Sequence, residues 1–156
     1  MPINRLQRYL DEKKVHYEVL GHSEAYTAQE VAQSMHIKGR YLAKVVIVKS
    51  ESGYIMLVLP ADRSVDISSL RGDLGLRMMA LATEGELRML FPDCEVGAMP
   101  PFGNLYRLPV YVERSISEEE FIVFQAGTHH EAVRMSYDDY ASLVGPQVFQ
   151  ASRKAA

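Results

Sequence analysis

One cysteine, Cys94, stands in the whole sequence, and tryptophan is absent. A lone cysteine forms no intramolecular disulfide, and there is no Cys cluster to hold zinc. Long apolar runs are missing too. Stretches such as Val45–Val48 and Ile55–Leu59 end far short of the roughly 20 residues that a bilayer span requires. The opening, Met1-Pro2-Ile3-Asn4-Arg5, carries no apolar signal core, so a cytoplasmic domain is expected. Strong positive charge is also lacking: 17 Lys and Arg face 20 Asp and Glu, a net charge of −3. That balance excludes a histone-like coat, which needs a strong positive field to hold nucleic acid. The nucleophile elbow Gly-x-Ser-x-Gly, the P-loop and Gly-x-Gly-x-x-Gly do not occur. No spacing of His and carboxylates matches a standard metal motif, and no cofactor is expected.

What is present is ordinary globular material. The 156 residues are 47% hydrophobic and 24% charged, enough for one core without staples. With no repeat, low-complexity block or flexible linker, residues 1–150 read as a single domain and 151–156 as a loose tail. Leu6, Tyr9 and Leu10 recur at helical spacing within 4–14, and 15–20 alternate like a short strand. Thr27-Ala28-Gln29-Glu30 and Thr83-Glu84-Gly85-Glu86 are capping boxes, each predicting a helix start. Tyr41–Lys49 and Tyr54–Leu59 are the clearest strands, joined through Ser50-Glu51-Ser52-Gly53 as a hairpin. Further strands are expected at 78–81, 108–112, 121–125 and 132–135. Helices are expected over 66–74 and from Ser136 to the stop at Gly145-Pro146. Helices and strands mix without clean alternation, which indicates an α+β fold with a mixed, mostly antiparallel sheet.

Lys44 breaks an otherwise apolar strand. Leu42, Val46 and Val48 share its face, while Tyr41, Ala43, Val45 and Ile47 fill the other. A buried lysine is costly unless it reaches water or a partner. It either snorkels or pairs with an acid such as Asp62 or Asp66, or it lines a cleft and faces an anion or a developing oxyanion. The segment Gly97-Ala98-Met99-Pro100-Pro101-Phe102-Gly103 is rigid at its prolines and permissive at its glycines. It is either a stiff connection or a loop that aims backbone N–H groups at a ligand. Ala126-Gly127-Thr128-His129-His130 follows a late strand. Adjacent histidines diverge on an extended chain, so joint chelation is not expected. Cys94 lies among Asp93 and Glu95; negative neighbours raise a thiol pKa, and the residue is assigned to packing. Tyr26 and Thr27 are candidates to line a cleft, with capping and packing as the alternative.

The ordered set of Lys44 on its apolar strand, the Gly97–Gly103 loop and Gly127 after a late strand resembles the YbaK/ProX family. These are free-standing aminoacyl-tRNA deacylases related to the editing insertion domain of bacterial prolyl-tRNA synthetases. The similarity runs from about Leu6 to Leu143. It implies a curved, barrel-like mixed sheet flanked by helices, and hydrolysis of the ester that joins a wrong amino acid to the 3′ end of a tRNA. It also implies a functional role for Lys44, a substrate-binding role for Gly97, Pro100, Pro101, Phe102 and Gly103, and a matching late glycine at Gly127. Two departures stand out. Some members follow the late glycine with Lys/Arg-Arg-Gly-Leu-Asp, where this chain has Thr128-His129-His130-Glu131-Ala132, and Glu113 replaces a strand-ending Asp.

An aminoacyl ester needs a positioned water and a stabilised oxyanion, and no metal. In this reading Lys44 supplies positive charge, N–H groups near Gly97, Gly103 and Gly127 hold water or oxyanion, and His130 is a candidate general base. Lys38, Arg40, Lys49 and Arg71 are candidate phosphate contacts to the partner tRNA. A companion aminoacyl-tRNA synthetase is a second candidate partner. A small pocket selects mainly by excluding larger side chains, so a small mischarged amino acid is the expected substrate. The alternative is a non-catalytic tRNA- or nucleotide-binding module, or a vestigial cleft on an interaction domain.

Overall fold

In the computed structural model of the protein, residues 2–21, 28–35 and 37–154 are described. The elements run in the order α1 (Pro2–Glu12), β1 (Tyr17–Gly21), α2 (Ala28–Ser34), β2 (Leu42–Ser50), β3 (Gly53–Pro60), β4 (Arg63–Val65), α3 (Ile67–Asp73), β5 (Met79–Leu81), α4 (Glu84–Leu90), β6 (Val110–Glu113), α5 (Arg114–Ser117), β7 (Phe121–Gln125), β8 (Glu131–Ser136), α6 (Tyr137–Val144), β9 (Gln147–Phe149) and β10 (Ser152–Lys154). The main sheet has the order β1-β8-β7-β2-β3-β6-β9, with β5 also paired to β2. Pairings β1–β8, β7–β8, β2–β3 and β2–β5 are antiparallel. Pairings β2–β7, β3–β6 and β6–β9 are parallel. This is the α+β architecture expected, with helices flanking a mixed sheet.

Local chemistry sets the helix ends. Asp66 accepts from the Ser69 N–H ahead of α3, and Ser136 accepts from the Asp139 N–H ahead of α6. Thr83 and Glu86 form the full reciprocal capping box ahead of α4. Gly145 closes α6 in the left-handed conformation, which glycine adopts without steric cost. The first capping box begins at Thr27, which lies outside the described residues.

The central hairpin β2–β3 is covered on both faces. Ala43 and Ile47 of β2, with Met56 and Val58 of β3, point into the main core. That core is completed by Leu6 and Leu10 of α1, Ile122 and Phe124 of β7, and Tyr140 of α6. Val48, Ile55, Leu57 and Leu59 point the other way, onto Leu70 of α3. Leu42 and Val123 meet Val31 and Ala32 of α2 in a third cluster.

The C-terminal residues depart from the loose tail expected of them. Ala151 is buried, its carbonyl accepts from the Asp66 N–H at 2.8 Å, and Ser152–Lys154 pair antiparallel with Arg63–Val65. Arg63 fixes the pairing by donating to Ser152 Oγ at 2.7 Å and to its carbonyl at 2.9 Å. Among the described residues no helix is long and apolar enough to cross a membrane.

Candidate functional site

The site begins with the side chain of Lys44 on β2. Its strand neighbours on the same face are split between two clusters, Leu42 against α2 and Val46 and Val48 against α3. Lys44 stands where that apolar cover is interrupted, and it is half-buried as a result. Burial pushes its pKa down, and the carboxylate of Asp62 partly opposes the shift through space. Lys44 has no ion pair among the described residues. Asp66, the other acid considered for it, is spent on capping α3.

The second component is a parting of strands. β2 and β7 run parallel and pair only at Leu42 with Val123 and Ala43 with Phe124. Continued by one residue, that register would set Lys44 beside Gln125. Instead the β2–β7 pairing stops at Ala43 and Phe124 while β7 stays paired to β8 on its other edge through Gln125 and Ala132, and β2 meets β5 only from Val48 onward. The segment around Gly97 fills the opening. It is held to the β7–β8 turn by Glu95 N–H to the Gly127 carbonyl at 2.8 Å and by Gly127 N–H to the Ala98 carbonyl at 2.8 Å. Both glycines sit at positive φ, +87° for Gly97 and +97° for Gly127, where a β-carbon is strained. Lys44, Val45, Gly97, Met99 and Gln125 line the resulting small cavity.

The structure therefore brings together two of the residues read from the sequence, Lys44 and Gly97. The rest of the loop does different work. Pro100, Pro101, Phe102 and Gly103 are all buried. Phe102 packs edge-on against Tyr9, Phe124 and Tyr140, and the Pro101 carbonyl accepts from Tyr140 Oη at 2.6 Å. A β-carbon on Gly103 would lie 2.5 Å from Val110 Cγ2 and 2.7 Å from the Leu108 carbonyl oxygen. This half of the loop is anchored in the core. Gly127 is likewise buried with its N–H already bonded, so it has no donor to offer an oxyanion. Among the described residues the N–H groups of Gly97 and Met99 have no acceptor.

His130 is exposed and does not line the cavity with Lys44. Its neighbour His129 is buried against the loop: its Nε2 is 2.9 Å from the Val96 carbonyl, and its N–H donates to Glu95 Oε1 at 3.3 Å. Sequence reasoning passed over His129 and Gln125, because only the strand register shows which members of that run turn inward. Tyr26 and Thr27 lie outside the described residues.

The two departures from the family pattern have structural counterparts. Ala132 is fully buried among Leu42, Ala61 and Val123, where an acid would lack water. Glu113 caps α5 through the Ser115 N–H and hydroxyl. Cys94 is a packing residue: burial first, and Asp93 after it, push its thiol up to about 11, against a hydrogen bond with Tyr106 that lowers it. Of the four proposed phosphate contacts, Lys49 is engaged by Glu86, Arg40 by the ring and hydroxyl of Tyr41, and Arg71 by the Arg77 carbonyl. No cluster of metal-ligating side chains is found among the described residues.

The chain is similar to known proteins. ProX of Acetoanaerobium sticklandii, a prolyl-tRNA editing protein, is 23% identical over 141 residues, covering 86% of this chain and 85% of its own. EbsC of Enterococcus faecalis, named as a candidate Cys-tRNA(Pro)/Cys-tRNA(Cys) deacylase, is 25% identical and covers 94% of this chain and 92% of its own. The crystal structure of a candidate trans-editing enzyme for prolyl tRNA synthetase superposes with a TM-score of 0.84 at 22% identity, over 99% of this chain and 98% of that one. The model of the aminoacyl-tRNA editing domain matches residues 22–143, a span that holds Lys44, the Gly97 loop and the β7–β8 turn, and the chain belongs to that family.

Proposed function

We propose that the protein is a trans-editing aminoacyl-tRNA deacylase, which hydrolyses the ester between the 3′ end of a tRNA and a mischarged small amino acid. The observation that carries this reading is the cavity where β2 and β7 part. There a half-buried lysine with no ion pair among the described residues faces a loop whose Gly97 N–H has no acceptor among them. The names of two relatives, a prolyl-tRNA editing protein and a candidate Cys-tRNA deacylase, support tRNA esters of small amino acids as the substrate class.

In this scheme water adds to the ester carbonyl, and the oxygen of the tetrahedral intermediate becomes an anion. Lys44 donates to that oxygen, and the Gly97 N–H is the second donor. Donors fixed in place before the reaction need no reorganisation when the charge develops, and partial exclusion of water strengthens each of them. Lys38 and Arg40, just before β2, are proposed to meet tRNA phosphates. His130 has no part in this scheme. The test is loss of label from a panel of correctly and incorrectly charged tRNAs with the wild-type protein and Lys44→Ala. Rapid loss for one or two small amino acids, absent in the variant, is the expected result. A folded wild-type protein that clears none of the panel overturns the reading and leaves a tRNA-binding module, which salt-dependent binding of uncharged tRNA would then reveal.

A further inference from the structure

Gln125 ends β7 in an otherwise apolar stretch, with Ile122, Val123, Phe124 and Ala126 all buried around it. It is only 7% exposed, and its Oε1 is buried without a hydrogen-bond partner among the described residues. An acceptor withdrawn from water with no replacement bond is costly. An apolar side chain of similar volume would fill the same place without that cost. The carboxamide is therefore unexplained by packing.

The cavity beside it explains it. Gln125 lines that cavity with Lys44, Gly97 and Met99, and its volume is about 10 Å³, about the least that admits a single water molecule. A buried water needs polar partners. Here the carboxamide oxygen is the available acceptor. The Lys44 ammonium, with three N–H donors, can donate to one lone pair of the water as well as to the oxyanion, leaving the Gly97 N–H to the oxyanion and the water's second lone pair free. The terminal torsion of a glutamine has a broad potential, so Oε1 turns toward the cavity without any movement of β7.

We infer that Gln125 positions the hydrolytic water, its Oε1 accepting one proton of a single water in this cavity and so turning a lone pair toward the ester carbonyl. The inference rests on the deacylase reading. The water oxygen bonds to the carbonyl carbon, and the bond from that carbon to the ribose oxygen breaks with its electron pair. One water proton ends on the ribose oxygen. The proton that faced Gln125 stays on the new carboxylic acid and leaves to solvent as the acid ionises. Gln125 itself neither gains nor loses a proton.

The experiment compares wild type with Gln125→Met, which removes the acceptor at similar volume, and Gln125→Asn, which withdraws it by one methylene while keeping the position polar. Steady-state kinetics are run on the charged tRNA that the wild type clears, with melting temperatures to show folding. High-resolution crystal structures of wild type and Gln125→Asn are determined alongside. In both variants kcat falls by about a hundredfold, as expected when a reacting group loses its position by about an ångström, while KM is unchanged. The wild-type crystal shows one ordered water within hydrogen-bond reach of Oε1, absent from the Asn variant. Should Gln125→Met fail to fold, Gln125→Asn carries the test. Wild-type kcat in Gln125→Asn, or a wild-type crystal without that water, overturns the inference. A rise in KM at unchanged kcat overturns it too, by showing that Gln125 binds the substrate instead. A wild-type protein that clears no charged tRNA is a different result: it removes the deacylase reading itself.

Discussion

Two lysines share strand β2, and the protein treats them in opposite ways. Lys49 is exposed, with its Nζ 3.2 Å from Glu86 Oε2 and 5.8 Å from the centre of the Tyr54 ring. The Glu86 contact raises its pKa. Lys44 is half-buried, has no ion pair among the described residues, and has its pKa lowered by burial. The difference teaches what separates a structural cation from a functional one. A lysine whose charge is already answered gains little from a further anion. One stripped of part of its water and left unanswered gains most when an anionic oxygen forms beside it.

The largest effect that tests this comparison is on turnover. Lys44→Ala should lower kcat by about 10²–10³-fold, the usual loss when one oxyanion donor is removed, with the melting temperature held or raised. Initial rates of ester loss from charged tRNA check this, and a near wild-type rate in folded Lys44→Ala breaks the comparison outright. The pH profile sharpens it. Because burial places the Lys44 pKa below its ordinary 10.5, turnover should fall on the alkaline side before pH 10.5 is reached, after subtraction of uncatalysed ester loss. Lys44→Arg should remove that alkaline limb, because a guanidinium keeps its proton there. The stability linkage of the two lysines has opposite signs. Folding disfavours charged Lys44, so its opposition to folding fades as pH rises from its lowered pKa to 10.5. Lys49 contributes fully below 10.5 and loses its contribution as pH rises through its raised value.

The loop divides in the same way, between a half that faces the cavity and a half that holds it in place. Gly97 is exposed at φ +87°, and a β-carbon there would meet only His129 Cε1, at 3.7 Å. Gly103→Ala, by contrast, drives a methyl group into a backbone carbonyl and Val110, an overpacking that typically costs about 1–3 kcal/mol. We expect Gly103→Ala to lower the melting temperature more than Gly97→Ala does, and Gly97→Ala to lower turnover more than its stability loss accounts for. Thermal melts paired with kcat, both at a temperature where each variant is folded, check this. Equal ratios of activity loss to stability loss in the two variants would erase the division.

Much of this was legible from residue patterns, and what was not has a common cause. The β2–β3 hairpin, the Thr83–Glu86 capping box, and Asp66, Ser136 and Gly145 at helix ends are local signals, and local hydrogen bonds decide them. Lys44 was visible because a charge in the middle of an apolar strand stands out from its neighbours. The three-residue strands β4, β9 and β10 were not visible. Each is too short for a period and is fixed only by a distant partner, as when Arg63 reaches Ser152. Tertiary register also decided that His129 rather than His130 is buried, and that Gln125 ends inside rather than at the surface. The 97–103 motif was legible as a unit, but its division was not, since the contacts that bury Phe102 and Gly103 come from Tyr9, Val110, Phe124 and Tyr140.

The smallest effects belong to Lys49 and its acid, and they test the comparison from its other side. Glu86 has its pKa lowered to about 2, first by the Thr83 N–H, then by the Tyr54 hydroxyl and Lys49. A carboxylate held below its ordinary 4.5 contributes stability that is complete above pH 4.5 and is lost as pH falls toward 2. Acid melts of the wild type should therefore be steeper across that window than those of Glu86→Gln. Glutamine still serves at this position of a capping box, but it has no carboxylate to protonate. At neutral pH the wild type should melt above Glu86→Gln, though modestly, because the Lys49 end of the pair is exposed and screened by solvent, and the two should converge as pH falls toward 2. Neither Glu86→Gln nor Lys49→Ala should change kcat by more than about twofold, since exposed pairs of this kind carry little energy. If either one slows ester hydrolysis as Lys44→Ala does, then charge anywhere along β2 serves the reaction, and the parting of β2 from β7 is not what makes Lys44 different.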